Sequence, residues 1–177
     1  MHSEKDLYLK AQKIKLIIFD VDGVLTDGGL YFSDKGVELK RFNSLDGHGI
    51  KMLIDFQIEP AIITARSSKS VEHRALNLGV KYIYQGQDDK LVAYNELIGK
   101  LKLKPEQVAY MGDDVIDLPV MSRVGLPIAV SNAHDFVKEN SFIVTNKSGG
   151  NGAVREVCDL LLKAQDKYQT AMQAYLN

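Results

Sequence analysis

Asp20 and Asp22 stand either side of one valine in LIIFDVDGVLTDG, directly behind four apolar residues. Three more carboxylates fall together in GDDVIDLP (Asp113, Asp114, Asp117), while ITARS brings Thr64 and Arg66 and GQDDK brings Lys90. If the first strand ran on past Phe19, the Asp20 and Asp22 side chains would share a face. Carboxylates that close repel, and Asp113 and Asp117 arriving from another strand compound the repulsion. A hard divalent cation relieves it, and an oxygen-rich set with room for water and phosphate suits Mg2+ better than Zn2+. Lys90, Arg66 and Thr64 supply the positive charge and hydroxyl that phosphate oxygens need. Gly23 leaves space for the backbone to approach a bound group. The chemistry implied is phosphoryl transfer.

Taken singly, these residues have plainer roles. Aspartates cap helices and form turns, a threonine ends a strand, and a lysine opens a solvated helix. Their shared position is what joins them, and it follows from the elements. Short apolar runs predict strands over 15–19, 60–64, 82–84, 108–111, 126–129 and 142–144. Amphipathic stretches predict helices over 47–56, 68–78, 90–101, 116–123, 134–139 and 153–171. Strands apolar at nearly every position and alternating with helices give a doubly wound (Rossmann-like), mostly parallel, three-layer α/β fold. In such sheets ligands bind beyond the carboxyl ends of the strands, where all the polar residues above are expected. One segment departs from the alternation: GGLYFSDKGVELKRFN reads as a short β-hairpin inserted after strand one.

The 177 residues, 45% hydrophobic and 25% charged with net charge −1, suit one domain over 1–177. They exclude a disordered chain and a dedicated nucleic-acid surface. Cys158 is the lone cysteine, expected to be buried in a helix, and no apolar run approaches a membrane span. The polar start lacks the core of a signal peptide, so a cytoplasmic protein is expected, with neither nucleic acid nor membrane as partner.

FDVDGVLT, ITAR, the lysine of GQDDK and GDDVIDLP resemble, in order and spacing, the four motifs of the haloacid dehalogenase (HAD) superfamily of phosphatases. The resemblance implies Asp20 as nucleophile, Asp22 as general acid/base, and Thr64 and Lys90 holding the phosphoryl oxygens. It implies Mg2+ on Asp20, Asp22 and Asp113, with Asp114 and Asp117 in support. Arg66, Arg74, Gly112, Gly150 and Arg155 are the candidate substrate contacts. The hairpin, FNSLDGHGIKML and SGGNGAVREVCDLLL further resemble a small, capless, tetrameric branch of that superfamily. That branch dephosphorylates a sugar acid of lipopolysaccharide synthesis, and Ala65 departs from the glycine its second motif often carries.

The intervals 22–46 and 64–90 are too short to hold a cap domain. The resemblance therefore implies a homotetramer, assembled through the hairpins, in which neighbouring subunits complete each site. The small phosphorylated sugar acid expected as substrate has an alternative in a nine-carbon, sialic-type acid. A phospho-receiver switch is the alternative from another class. It would place its phosphoacceptor aspartate after the third strand, where this chain has Tyr84 to Gln87.

Overall fold

The computed structural model describes residues 3–176. Six strands form one parallel sheet: β1 (Leu16–Phe19), β4 (Glu59–Ile63), β5 (Tyr82–Tyr84), β6 (Val108–Gly112), β7 (Leu126–Ala129) and β8 (Ile143–Val144), in the order β5-β4-β1-β6-β7-β8. The central strands are buried throughout, as in LIIF of β1 and VAYMG of β6, because helices cover both faces. From β1 the chain winds one way through β4 and β5, then returns to lay β6 on the other side of β1. The reversal opens a crevice at the carboxyl ends of β1, β4 and β6, the usual ligand position in an open α/β sheet.

The helices are α1 (Glu4–Ala11), α2 (Ser44–Asp55), α3 (Lys69–Leu78), α4 (Lys90–Leu101), α5 (Leu118–Met121), α6 (Asp135–Glu139), α7 (Ala153–Ala164) and α8 (Tyr168–Gln173). Side-chain caps set several starts. Asn43 accepts the amides of Leu45 and Asp46 at the head of α2, and Asp89 accepts that of Leu91 at the head of α4. The expected hairpin is present as the antiparallel pair β2 (Tyr31–Phe32) and β3 (Glu38–Leu39), with Gly36 at φ 73 in its turn.

Four expectations need correction. Helix α1 forms in the polar start, where Ser3 accepts the Asp6 amide and Ala11 is buried at the helix end. Helix α2 begins at Ser44, three residues before the expected start, because Asn43 caps it. The helix expected over 116–123 is a 3-10 turn, Val115–Asp117, leading into the short α5. The long last helix breaks between α7 and α8, where Asp166 takes φ 57. Gln165 donates to the carbonyls of Ala11 and Ile14, and Lys167 donates to that of Phe56, so the break satisfies the ends of two other segments. Among the described residues no helix is long and apolar enough to cross a membrane.

Candidate active site

Strand β1 keeps its pairing through the Asp20 amide, which donates to Met111 of β6 at 3.0 Å. Beyond it the chain coils tightly over Val21–Leu25, with Gly23 at φ 91. The strand parity that would place Asp20 and Asp22 on one face therefore does not apply, and the two carboxylates diverge. Asp20 faces Lys90, with Nζ 2.7 Å from Oδ1. Asp22 faces Lys40 of the hairpin, its Oδ1 accepting from the ammonium, and Arg66, whose Nε is 3.8 Å from Oδ2.

Under the crevice, Asp20, Lys90 and Asp117 are buried together, 5%, 2% and 0% exposed. Asp117 is fully engaged. Its Oδ1 accepts Lys90 Nζ at 2.6 Å and Tyr110 Oη at 2.7 Å; its Oδ2 accepts the amides of Asp113 and Asp114 at 3.0 and 3.2 Å. Four donors fill the acceptor capacity of a carboxylate, which leaves nothing on Asp117 for a cation. Asp113 is the opposite case: its Oδ1 is buried without a hydrogen-bond partner.

Oxygens of Asp20, Asp113 and Asp117 lie within 4.8 Å of one another. Three carboxylates against one lysine leave unbalanced negative charge. Burial, with the Asp117 charge next, raises Asp20 to about 7. Burial, then the Asp20 and Asp117 charges, raise Asp113 to about 8. Burial alone would lower Lys90, yet the two aspartates outweigh it and hold the ammonium charged. The orphaned oxygen and the excess charge both fit a divalent cation on Asp20 and Asp113, with Asp117 left to orient Lys90. The Asp22 side chain, expected among the metal ligands, is outside this cluster.

Thr64, at the end of β4, is 2% exposed and borders the same crevice with Ala65 and the half-exposed Arg66. Position 65 does not have positive φ, so alanine serves where the motif often has glycine. Asp114 also borders the crevice but caps the turn that follows it, accepting the Val115 amide at 2.7 Å. Gly23 proves to make room for Asp113, whose carboxylate occupies the space a Cβ would take.

Four of the expected substrate contacts do not border the crevice in this chain. Gly112 packs against Asp117 from within. Arg74 donates to the Asn43 carbonyl at 3.2 Å, and Arg155 pairs with Asp159 at 2.8 Å. The Gly150 amide donates to Val24 at 3.0 Å, and Gly149 is pressed so close to the Gly23 carbonyl that no side chain fits. The glycine-rich loop is thus clamped onto the coil that carries Asp22. Asp46, 1% exposed, holds the other end of the loop by accepting the amides of Gly152 and Arg155. Burial raises its carboxyl.

Sequence reasoning missed Lys40, Glu38, Tyr110 and Asp46. Only Tyr110 carried a signal, as a hydroxyl inside an apolar strand directly before GDD.

A parallel sheet with Asp20 directly after its first strand, paired with a buried Lys90, is the arrangement expected of hydrolases of the haloacid dehalogenase type. Residues 80–157 match the family described as haloacid dehalogenase-like hydrolase. The 3-deoxy-D-manno-octulosonate 8-phosphate phosphatase of Yersinia pestis is 54% identical over 94% of this chain and 89% of its own length. The crystal structure of the Moraxella catarrhalis phosphatase of that name, in complex with magnesium ion, phosphate ion and KDO, superposes with TM-score 0.95. It is 43% identical, over 98% of this chain and 99% of that one. The cobalt-bound Haemophilus influenzae phosphatase gives TM-score 0.90 at 39% identity, covering 95% of this chain and 99% of that one. The chain belongs to the 3-deoxy-D-manno-octulosonate 8-phosphate phosphatase family of the haloacid dehalogenase-like hydrolases.

Proposed function

We propose that this chain, acting as one catalytic unit over 1–177, removes phosphate from 3-deoxy-D-manno-octulosonate 8-phosphate with Mg2+ as cofactor. The buried Asp20–Lys90 pair beside the unpartnered Asp113, at the carboxyl end of β1, carries this reading. Asp20 attacks phosphorus in line, the bond from phosphorus to the sugar oxygen breaks, and that oxygen takes a proton from Asp22. Water then attacks the aspartyl-phosphate and passes a proton to Asp22, freeing inorganic phosphate and the Asp20 carboxylate. Lys90 and the Thr64 hydroxyl hold the phosphoryl oxygens, and Lys90 offsets their charge. Asp20 and Asp113 would hold Mg2+, which would supply positive charge to offset the repulsion between an anionic nucleophile and an anionic phosphate.

A panel of phosphorylated sugar acids, assayed with and without Mg2+, tests the substrate. The eight-carbon ester is expected to lead; preference for a nine-carbon, sialic-type acid would overturn that assignment. Asp20→Asn is expected to lose at least about 1,000-fold in kcat with the fold retained.

Further, the hairpins pair between copies to make a homotetramer whose neighbouring subunits close the crevice. The support is apolar and exposed: Leu30, Tyr31, Phe32, Val37 and Leu39 are each 44–58% accessible. A monomeric mass at assay concentration would refute it. A cytoplasmic site in lipopolysaccharide sugar supply agrees with the single buried thiol, Cys158, which has no partner for an intrachain disulfide.

A further inference from the structure

Residues 37–40 of the hairpin alternate as an extended segment requires, but with the usual faces exchanged. Val37 and Leu39 are 58% and 57% exposed. The side chains of Glu38 and Lys40 are 15% and 1% exposed, turned toward the crevice. A lysine ammonium is withdrawn from water only where a carboxylate receives it. Here Lys40 Nζ donates to Asp22 Oδ1 and lies 3.3 Å from Glu38 Oε1. Arg66 Nη2 donates to the same Glu38 oxygen at 2.8 Å. Asp22 Oδ2 is buried without a hydrogen-bond partner, with Arg66 Nε 3.8 Å away. Lys40 therefore supplies the contact that orients the Asp22 carboxylate, and Glu38 ties Lys40 to Arg66.

We propose that Lys40, anchored by Glu38, is a positioning residue for Asp22: the hairpin sets the orientation of the group that gives the leaving oxygen its proton. The inference rests on the role of Asp22 stated above. It gives the inward face of the hairpin a task distinct from whatever covers its outward face. It also explains why a lysine is buried on an element whose other residues are largely exposed.

The test compares wild-type enzyme with Lys40→Met and Glu38→Gln on simple phosphate esters that share little recognition and differ in leaving group, from 4-nitrophenyl through phenyl to alkyl. The quantity read is kcat/KM, which covers the steps through departure of the alcohol. General acid catalysis contributes about 100- to 10,000-fold where the leaving group needs a proton. Loss of the positioning contact is therefore expected to cost Lys40→Met about tenfold or more on the phenyl and alkyl esters. On 4-nitrophenyl phosphate, whose leaving anion is stable, the loss is expected to stay under about threefold. Glu38→Gln is expected to show the same ordering with smaller losses, and it reports on the contact even if Lys40→Met fails to fold. Equal losses across the series, or none, would overturn the positioning role. Asp22→Asn separates this from the parent reading: if it shows no leaving-group dependence, the acid/base role of Asp22 itself has failed.

Discussion

Lys90 Nζ stands 2.6 Å from Asp117 Oδ1, and both side chains are closed to water, at 1% and 0% exposure. The same ammonium reaches Asp20 at 2.7 Å, so one buried cation is shared by Asp20, the proposed nucleophile, and by Asp117. Asp117 is in turn held by Tyr110 and two backbone amides, and each link is needed because an unpaired charge at that depth is very costly.

Asp117→Asn tests this chain of contacts. The amide keeps one acceptor oxygen for four donors and leaves Asp20 as the one carboxylate paired with Lys90. Removing one partner of a buried pair costs about 3–5 kcal/mol. Urea unfolding of the metal-free protein measures it; a loss below about 1 kcal/mol, within the range of an exposed pair, would show that Asp117 does not hold the lysine.

Tyr110→Phe removes only the hydroxyl from a site that is 0% exposed. A hydrogen bond to a charged group contributes about 1.5–3 kcal/mol, so stability is expected to fall by that amount. KM is expected to stay unchanged, because a hydroxyl enclosed on β6 cannot meet the substrate. A raised KM would mean that the tyrosine contacts the ligand.

The raised carboxyls make the metal-free protein sensitive to pH. Asp20 and Asp113 rise from 3.8 to about 7 and about 8. Between those values the folded chain binds more protons than the unfolded one, so stability falls as pH rises. The melting temperature without metal is expected, as far as these two groups decide it, to be highest below about pH 4 and to decline from there through pH 8. Mg2+ competes with those protons, so its stabilisation is expected to grow over the same interval. A magnesium-induced shift independent of pH from 5 to 8 would contradict this picture.

The fold was largely legible because fully apolar strands alternating with helices leave few arrangements other than a wound parallel sheet. Strands β5 and β7 and helix α4 fall at their expected limits, since Asp89 caps α4 and turns bound the strands. Helix α1 was illegible because it has little apolar periodicity of its own and packs one end against α7. In the site, the residues beyond strand ends were legible from type and position. Lys40 was not, because a charged residue on a hairpin normally faces water, and only the reversed face of β3 gives it another partner. Arg74 and Arg155, expected at a substrate, are engaged within this chain by the Asn43 carbonyl and by Asp159, contacts between distant or helical neighbours that residue type alone does not reveal.

The clamp between the glycine-rich loop and the Asp22 coil gives the last prediction. A Cβ at Gly149 would collide with the Gly23 carbonyl, a backbone atom that cannot swing aside, whereas at Gly99 in α4 it would meet nothing within 4 Å. Gly99→Ala, inside a helix and not at positive φ, is expected to leave kcat near wild type and to raise stability by about 0.5–1 kcal/mol. Gly149→Ala, not at positive φ, is expected to cost about 1–3 kcal/mol through overpacking. Because Gly23 lies between Asp22 and the Asp113 carboxylate, that displacement is also expected to lower kcat and weaken Mg2+ binding. Urea unfolding, kcat and a magnesium titration read the two variants side by side. If Gly149→Ala loses stability yet keeps kcat and magnesium affinity, the loop supports the fold without holding the catalytic coil in place.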